Sequence, residues 1–174
     1  MSRLVTTAAL LIGSLAGAQQ RPDLSGEWAA ADDRATSVAA TGDASFRRGD
    51  MGSGWGQTIR IVQRADSLIL TYVFFSTYDL QPPLRFAYAL DGSESRNEVM
   101  IGHATSQQRS KVSWDGSTLV ITTAYAAPRP AEGATASEVR RTLTLESPTS
   151  LVVETTRTGA QGTPITTRTV YTKR

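Results

Sequence analysis

From residue 57 to residue 173, apolar and polar side chains mostly alternate one for one in short runs broken by turn residues. That period of two is the signature of a half-buried β-strand, whose successive side chains point to opposite faces. Ser67–Phe75 is the clearest run, with Leu68, Leu70, Tyr72 and Phe74 on one face. The same pattern predicts strands over Leu24–Ala30, Gln57–Arg64, Leu84–Leu90, Asn97–Ser106, Arg109–Trp114, Thr118–Tyr125, Ser137–Glu146, Ser150–Arg157 and Ile165–Lys173. No stretch carries the long 3.6-residue period of an amphipathic helix. A short helix over Ala31–Ala40 is the one helical expectation, and it has little apolar face.

The connections sharpen the picture. Asp91-Gly92 and Asp115-Gly116 are tight-turn dipeptides, because Gly takes positive φ without strain and Asp bonds its own backbone. Ile59–Thr71, Lys111–Thr123 and Thr142–Thr155 each read as strand, polar turn and strand, which is one hairpin apiece. Asp50–Gly56 and the Pro-containing stretch Ala126–Ser137 read as loops. Neighbouring strands joined by short turns form an antiparallel meander, and a meander leaves two exposed edges unless it closes. The expected fold is therefore all-β: an up-and-down meander closing into a barrel of about 8–10 strands. A two-sheet sandwich is the rival.

Met1–Ala18 falls outside this pattern. Arg3, the apolar run Leu4–Leu15 and the small residues Ala16-Gly17-Ala18 read as a signal peptide with cleavage after Ala18. The run is shorter than the roughly 20 residues of a membrane-spanning helix. Residues 1–18 are thus assigned to a signal peptide and 19–174 to one barrel domain, exported to the periplasm or the medium, with no membrane span and a monomeric state. Such a chain has no Cys and must be stabilised by its core alone.

Leu24-Ser25-Gly26-Glu27-Trp28 resembles the G-x-W start of the lipocalin and calycin superfamily. The resemblance implies that Gly26 and Trp28 are structural, with Trp28 across the closed end of the barrel. It also implies a basic residue of the last strand over the ring: Arg168, Lys173 or Arg174. More narrowly, Leu90–Asn97, Ser113–Gly116 with Leu119–Thr123, Leu151–Arg157 and Val170–Arg174 resemble a group of uncharacterised secreted bacterial lipocalin-like proteins. That likeness implies fold and an extracytoplasmic location, and no activity. The Cys pairs of lipocalins are missing here.

Composition removes several chemistries. Without Cys there is no thiol nucleophile and no Cys-ligated metal, and one His with scattered carboxylates is a poor zinc set. Asp32-Asp33, Asp43 and Asp50 lack calcium-loop spacing. No G-x-S-x-G elbow occurs, and Gly52-Ser53-Gly54 opens no helix. A formal charge of +2 with only Lys111 and Lys173 among 18 basic residues argues against nucleic acid. No cofactor is called for. His103, the only His, is placed on a strand face with Val99 and Ile101, as a general base, an axial haem ligand or an ordinary partly buried sheet residue.

What remains is a binding reading. Arg141 alternates with Val139, Leu143 and Leu145, which points it inward, where a guanidinium meets an anionic group. Glu154, alternating with Val152, is its candidate ion-pair partner. Tyr72, Phe74, Phe86 and Tyr88 line a core or a cavity, and Trp55 is a lid at the barrel mouth or an anchor for its loop. The candidate ligand residues are Trp55, Tyr72, Phe74, Tyr88, His103 and Arg141, and the candidate ligand is small and apolar or anionic. The alternatives are a ligand-free structural or protein-interaction barrel of the cell envelope, and a small isomerase or cyclase using His103 or Tyr88; no catalytic constellation supports the last.

Overall fold

The computed structural model describes residues 21–31, 36–38, 54–72, 83–101, 104–125, 137–158 and 163–174. They form eleven strands: β1 (Gly26–Ala30), β2 (Thr36–Val38), β3 (Thr58–Gln63), β4 (Ser67–Tyr72), β5 (Leu84–Ala89), β6 (Ser95–Ile101), β7 (Ala104–Asp115), β8 (Thr118–Tyr125), β9 (Ser137–Ser147), β10 (Ser150–Thr158) and β11 (Pro164–Lys173). All pairings are antiparallel, in the order β5-β4-β3-β1-β11-β10-β9-β8-β7-β6. Every neighbour is sequential except β1, which sits between β3 and β11 and so joins the start of the meander to its end. β2 continues the path of β1 along β11: Ala30 pairs with Tyr171 and Thr36 with Arg168. The expected helix over Ala31–Ala40 therefore gives way to extended chain at Thr36–Val38, because the β11 edge beyond Tyr171 supplies backbone partners there.

The second correction lies further along. Asn97–Ser106 is not one strand: β6 ends at Ile101, β7 begins at Ala104, and these two residues are register partners. The chain reverses between Ile101 and Ala104, so the alternation of Val99 and Ile101 does not carry through to the next strand. His103 lies outside the described residues. The three expected hairpins are present as β3–β4, β7–β8 and β9–β10.

Parity decides what lies inside. On β3, β4 and β5 the buried residues are Ile59 and Ile61, then Leu68, Leu70 and Tyr72, then Phe86 and Tyr88. Leu119, Ile121, Leu143, Leu151, Val153 and Tyr171 complete the core from the other wall. The Thr excess sits in the same ladders. Ser110 and Thr123 bond inside at 2.9 Å, while Thr118–Thr144 and Thr156–Thr166 bond on the outer face at 3.0 and 2.9 Å. Arg60, Arg85, Arg96, Arg109 and Arg140 are exposed. Outward charges on these strands shield the sheet from edge and face association.

One end of the barrel is sealed by the G-x-W segment. Trp28, fully buried, donates its indole N–H to the Leu24 carbonyl at 3.0 Å, and the ammonium of Lys173 lies 5.2 Å from its ring centroid. Gln63 ties the incoming chain to β3: its side-chain oxygen accepts from Leu24 N–H at 3.0 Å and its amide donates to the Pro22 carbonyl at 3.1 Å. Of the three basic candidates, Lys173 covers Trp28 because it pairs with it across β1 and β11. Arg168 has the opposite parity, points outward and bonds Glu146 at 2.6 Å. Its expected role over the tryptophan is thereby overturned. Gly26 is held at φ +151°, and a Cβ there would lie 2.6 Å from Lys173 Cε. The glycine of G-x-W is thus where the lysine stem crosses the chain. Gly26→Ala is expected to cost about 1–3 kcal/mol, the range for an imposed backbone outlier. Adding Lys173→Ala should recover only part of it, because the φ penalty stays. Urea unfolding of the three variants checks this.

Candidate functional site

Two walls face each other inside the other half of the barrel. One is aromatic and stands on β4 and β5. Tyr72 stacks on Phe86 with centroids 5.7 Å apart and planes 7° off parallel, and Phe86 on Tyr88 at 6.3 Å and 13°. Register explains the row: Tyr72 pairs with Leu84, Leu70 with Phe86 and Leu68 with Tyr88, so all these side chains share the inner face. Offset rings at these spacings add about 0.5–1.5 kcal/mol per pair beyond the area they bury.

The facing wall carries Arg141, 6 % exposed, on β9. It pairs with Ile121 on β8 and with Thr155 on β10, both buried. Its guanidinium carbon lies 5.0 Å from the centroid of the Trp55 ring. A buried cation over an indole face gains about 2 kcal/mol, which offsets part of its desolvation cost. Glu154 is not the partner expected for Arg141. It is exposed, pairs in register with Thr142 and Arg168, and therefore lies on the outer face. The inward residues of β10 are Leu151, Val153, Thr155 and Arg157.

Arg157 is the residue that sequence reasoning did not place inside. A Cβ on Gly54 would lie 3.1 Å from Nη2 of Arg141 and 3.1 Å from Nη2 of Arg157, so the two guanidinium groups converge on the Gly54 turn. Gly54 adopts φ +76°, and the turn swings Trp55 into the interior at 2 % exposure. Tyr171 fixes the far side of the turn, donating its hydroxyl to the Gly56 carbonyl at 2.9 Å. Trp55 is therefore an anchored, buried side chain rather than a surface lid. Of the expected ligand residues, Trp55, Tyr72, Tyr88 and Arg141 come to this half of the interior. Phe74 and His103 lie outside the described residues.

Burial pushes the Tyr72 phenol up to about 12 and Tyr88 higher still; the Arg141 charge acts in the opposite direction on both and is outweighed. A raised phenol favours the folded state below the ordinary pKa of 10.0, where both states are neutral. Above it the unfolded chain ionises first, so that stability is lost as pH climbs from 10 through the folded value. Urea unfolding should show a steep drop between pH 9 and pH 11.5, and Tyr72→Phe should make it shallower.

The arrangement joins an apolar, aromatic surface to two guanidinium groups, whose planar geometry suits carboxylate and phosphate groups. Among the described residues, no group of three or more His, Asp or Glu is placed to hold a metal ion. Among them also, no helix is long and apolar enough to cross a membrane.

No known family profile matches the chain, and no curated protein matches it either. Solved structures do. Secretory abundant heat soluble protein 4 from Ramazzottius varieornatus aligns at TM-score 0.53 and 14% identity, over 86% of this chain and 94% of its own. Another secretory abundant heat soluble protein of that organism, from a dimer sample, gives 0.54 and 15%, over 87% and 95%. Zebrafish ileal bile acid-binding protein, in complex with cholic acid, gives 0.49 and 19%, over 86% and 98%. At these identities the likeness to the two heat soluble proteins is one of fold alone: an antiparallel all-β barrel.

Proposed function

We propose that this barrel binds one small molecule with an apolar body and an anionic head, and that it does so outside the cytoplasm after removal of residues 1–18. The observation that carries the reading is Arg141. A cation with 6 % exposure, set on the inner face opposite stacked aromatic rings, has a chemical purpose that a leucine would not serve. Burying a charge costs free energy, and an apolar replacement of similar volume often stabilises a core. The head of the ligand meets Arg141 and Arg157, and its body lies against Tyr72, Phe86 and Tyr88. The export segment rests on the Met1–Ala18 pattern, and mass spectrometry of the exported protein should give a chain beginning at Gln19.

A second reading, a filled barrel that acts through a protein partner, draws on Trp55. At 2 % exposure its indole occupies interior volume itself. Dye binding separates the two. The fluorescent aromatic sulfonate 1-anilinonaphthalene-8-sulfonate should bind one site saturably. Arg141→Gln should weaken it about tenfold or more, the range for losing a charge-assisted hydrogen bond. The neutral apolar dye Nile red should bind both forms alike. A wild-type barrel that gives no saturable sulfonate binding refutes the ligand reading and favours the filled barrel.

A further inference from the structure

Among the described residues, the ten-strand circuit is interrupted at one place, and it lies between consecutive strands. β5 and β6 follow each other through Asp91-Gly92, yet they stand at opposite ends of the hydrogen-bonded order. Among the described residues, side chains join them. Asn97, buried on the inner face, accepts from Ala87 N–H at 2.8 Å and donates from its amide nitrogen to the Ala87 carbonyl at 3.1 Å. The Ser95 hydroxyl oxygen accepts from Ala89 N–H at 2.8 Å. The Asn97 amide thus makes the two bonds that a neighbouring strand would make.

Resting on the binding role proposed above, we infer that this seam is the route by which the anionic amphiphile reaches the interior, with Asn97 as its latch. At every other junction a backbone ladder would have to break, as between β10 and β11, where the register runs unshifted from Ser150 paired with Thr172 to Thr158 paired with Pro164. At the seam, opening exchanges three side-chain bonds for bonds to water and leaves each strand paired on its other side. The sealed end is held by Trp28 under Lys173, and the other half is occupied by Trp55, pinned through Tyr171 to Gly56. The seam also opens onto the right surface. Phe86 and Tyr88 stand on β5 itself, so lifting its unladdered edge uncovers the aromatic wall that faces Arg141.

Stopped-flow binding and release of 1-anilinonaphthalene-8-sulfonate test the route on the full chain, with hydrogen exchange read at the Ala87 and Ala89 amides. Asn97→Ala should raise the association and dissociation rates about tenfold each, with the equilibrium constant within twofold of wild type. In wild type, the Ala87 and Ala89 amides should exchange faster than those inside the β9–β10 ladder. Ser95→Ala gives a milder second variant should Asn97→Ala fail to fold, with smaller increases in both rates. Dye that binds with rates indifferent to both substitutions overturns the route and leaves the binding role standing. Wild-type protein that does not bind the dye overturns the binding role and the route with it, and the exchange data then report only on the seam.

Discussion

Closure of the sheet is the constraint on which the rest depends. A ten-strand antiparallel meander has two edges, and the pairing of β1 with β11 brings the chain's two ends together while leaving β5 and β6 as the final edges. Once the strands curl into a barrel, each side chain is inside or outside by parity alone. That rule places Arg141 and Arg157 inside, sends Glu154 and Arg168 out, and turns the inner face of β5 into an aromatic wall. The last edges meet through Asn97 and Ser95, which satisfy backbone groups that would otherwise face each other unpaired.

Each tryptophan carries a cation, and the three pairs differ in consequence. Lys173 over Trp28 seals one end and explains Gly26, whose missing Cβ makes room for the lysine stem. Arg21 lies 5.6 Å from the ring centroid of Trp114, a half-buried indole that packs on the core rim. Arg141 beside Trp55 is the buried one. The first two hold the barrel shut at its surface, where a long aliphatic stem covers apolar area and keeps its charge wet. The third places a charge where water is excluded, and it is the cation on which the proposed binding role rests.

The fold was legible in the sequence because period-two patterning and turn dipeptides are local. Thr118–Tyr125 falls on the expected residues, and β4, β5, β9, β10 and β11 begin or end within a few residues of expectation. Two failures have local causes. The β6–β7 reversal falls between Ile101 and Ala104, where the preceding alternation of Val99 and Ile101 hides the break. The three successive apolar residues Leu151, Val152 and Val153 satisfy either parity, so Glu154 reads as inward when Thr155 and Arg157 are. The site was half legible. Tyr72, Tyr88 and Arg141 follow from alternation, whereas the approach of Trp55 and Arg157 depends on the Gly54 turn folding back into the barrel. The seam had no local signal at all, since Asn97 becomes a strand mimic only when the circuit closes.

The proposed binding role rests on the charged, aromatic-faced part of the barrel interior. The most direct measurement is a nuclear magnetic resonance titration that follows the Arg141 Nε–H and Trp55 indole N–H signals as 1-anilinonaphthalene-8-sulfonate is added. The account predicts that both shift together and saturate at one equivalent. Shifts confined to exposed outer-face residues, with those two signals unmoved, would contradict it.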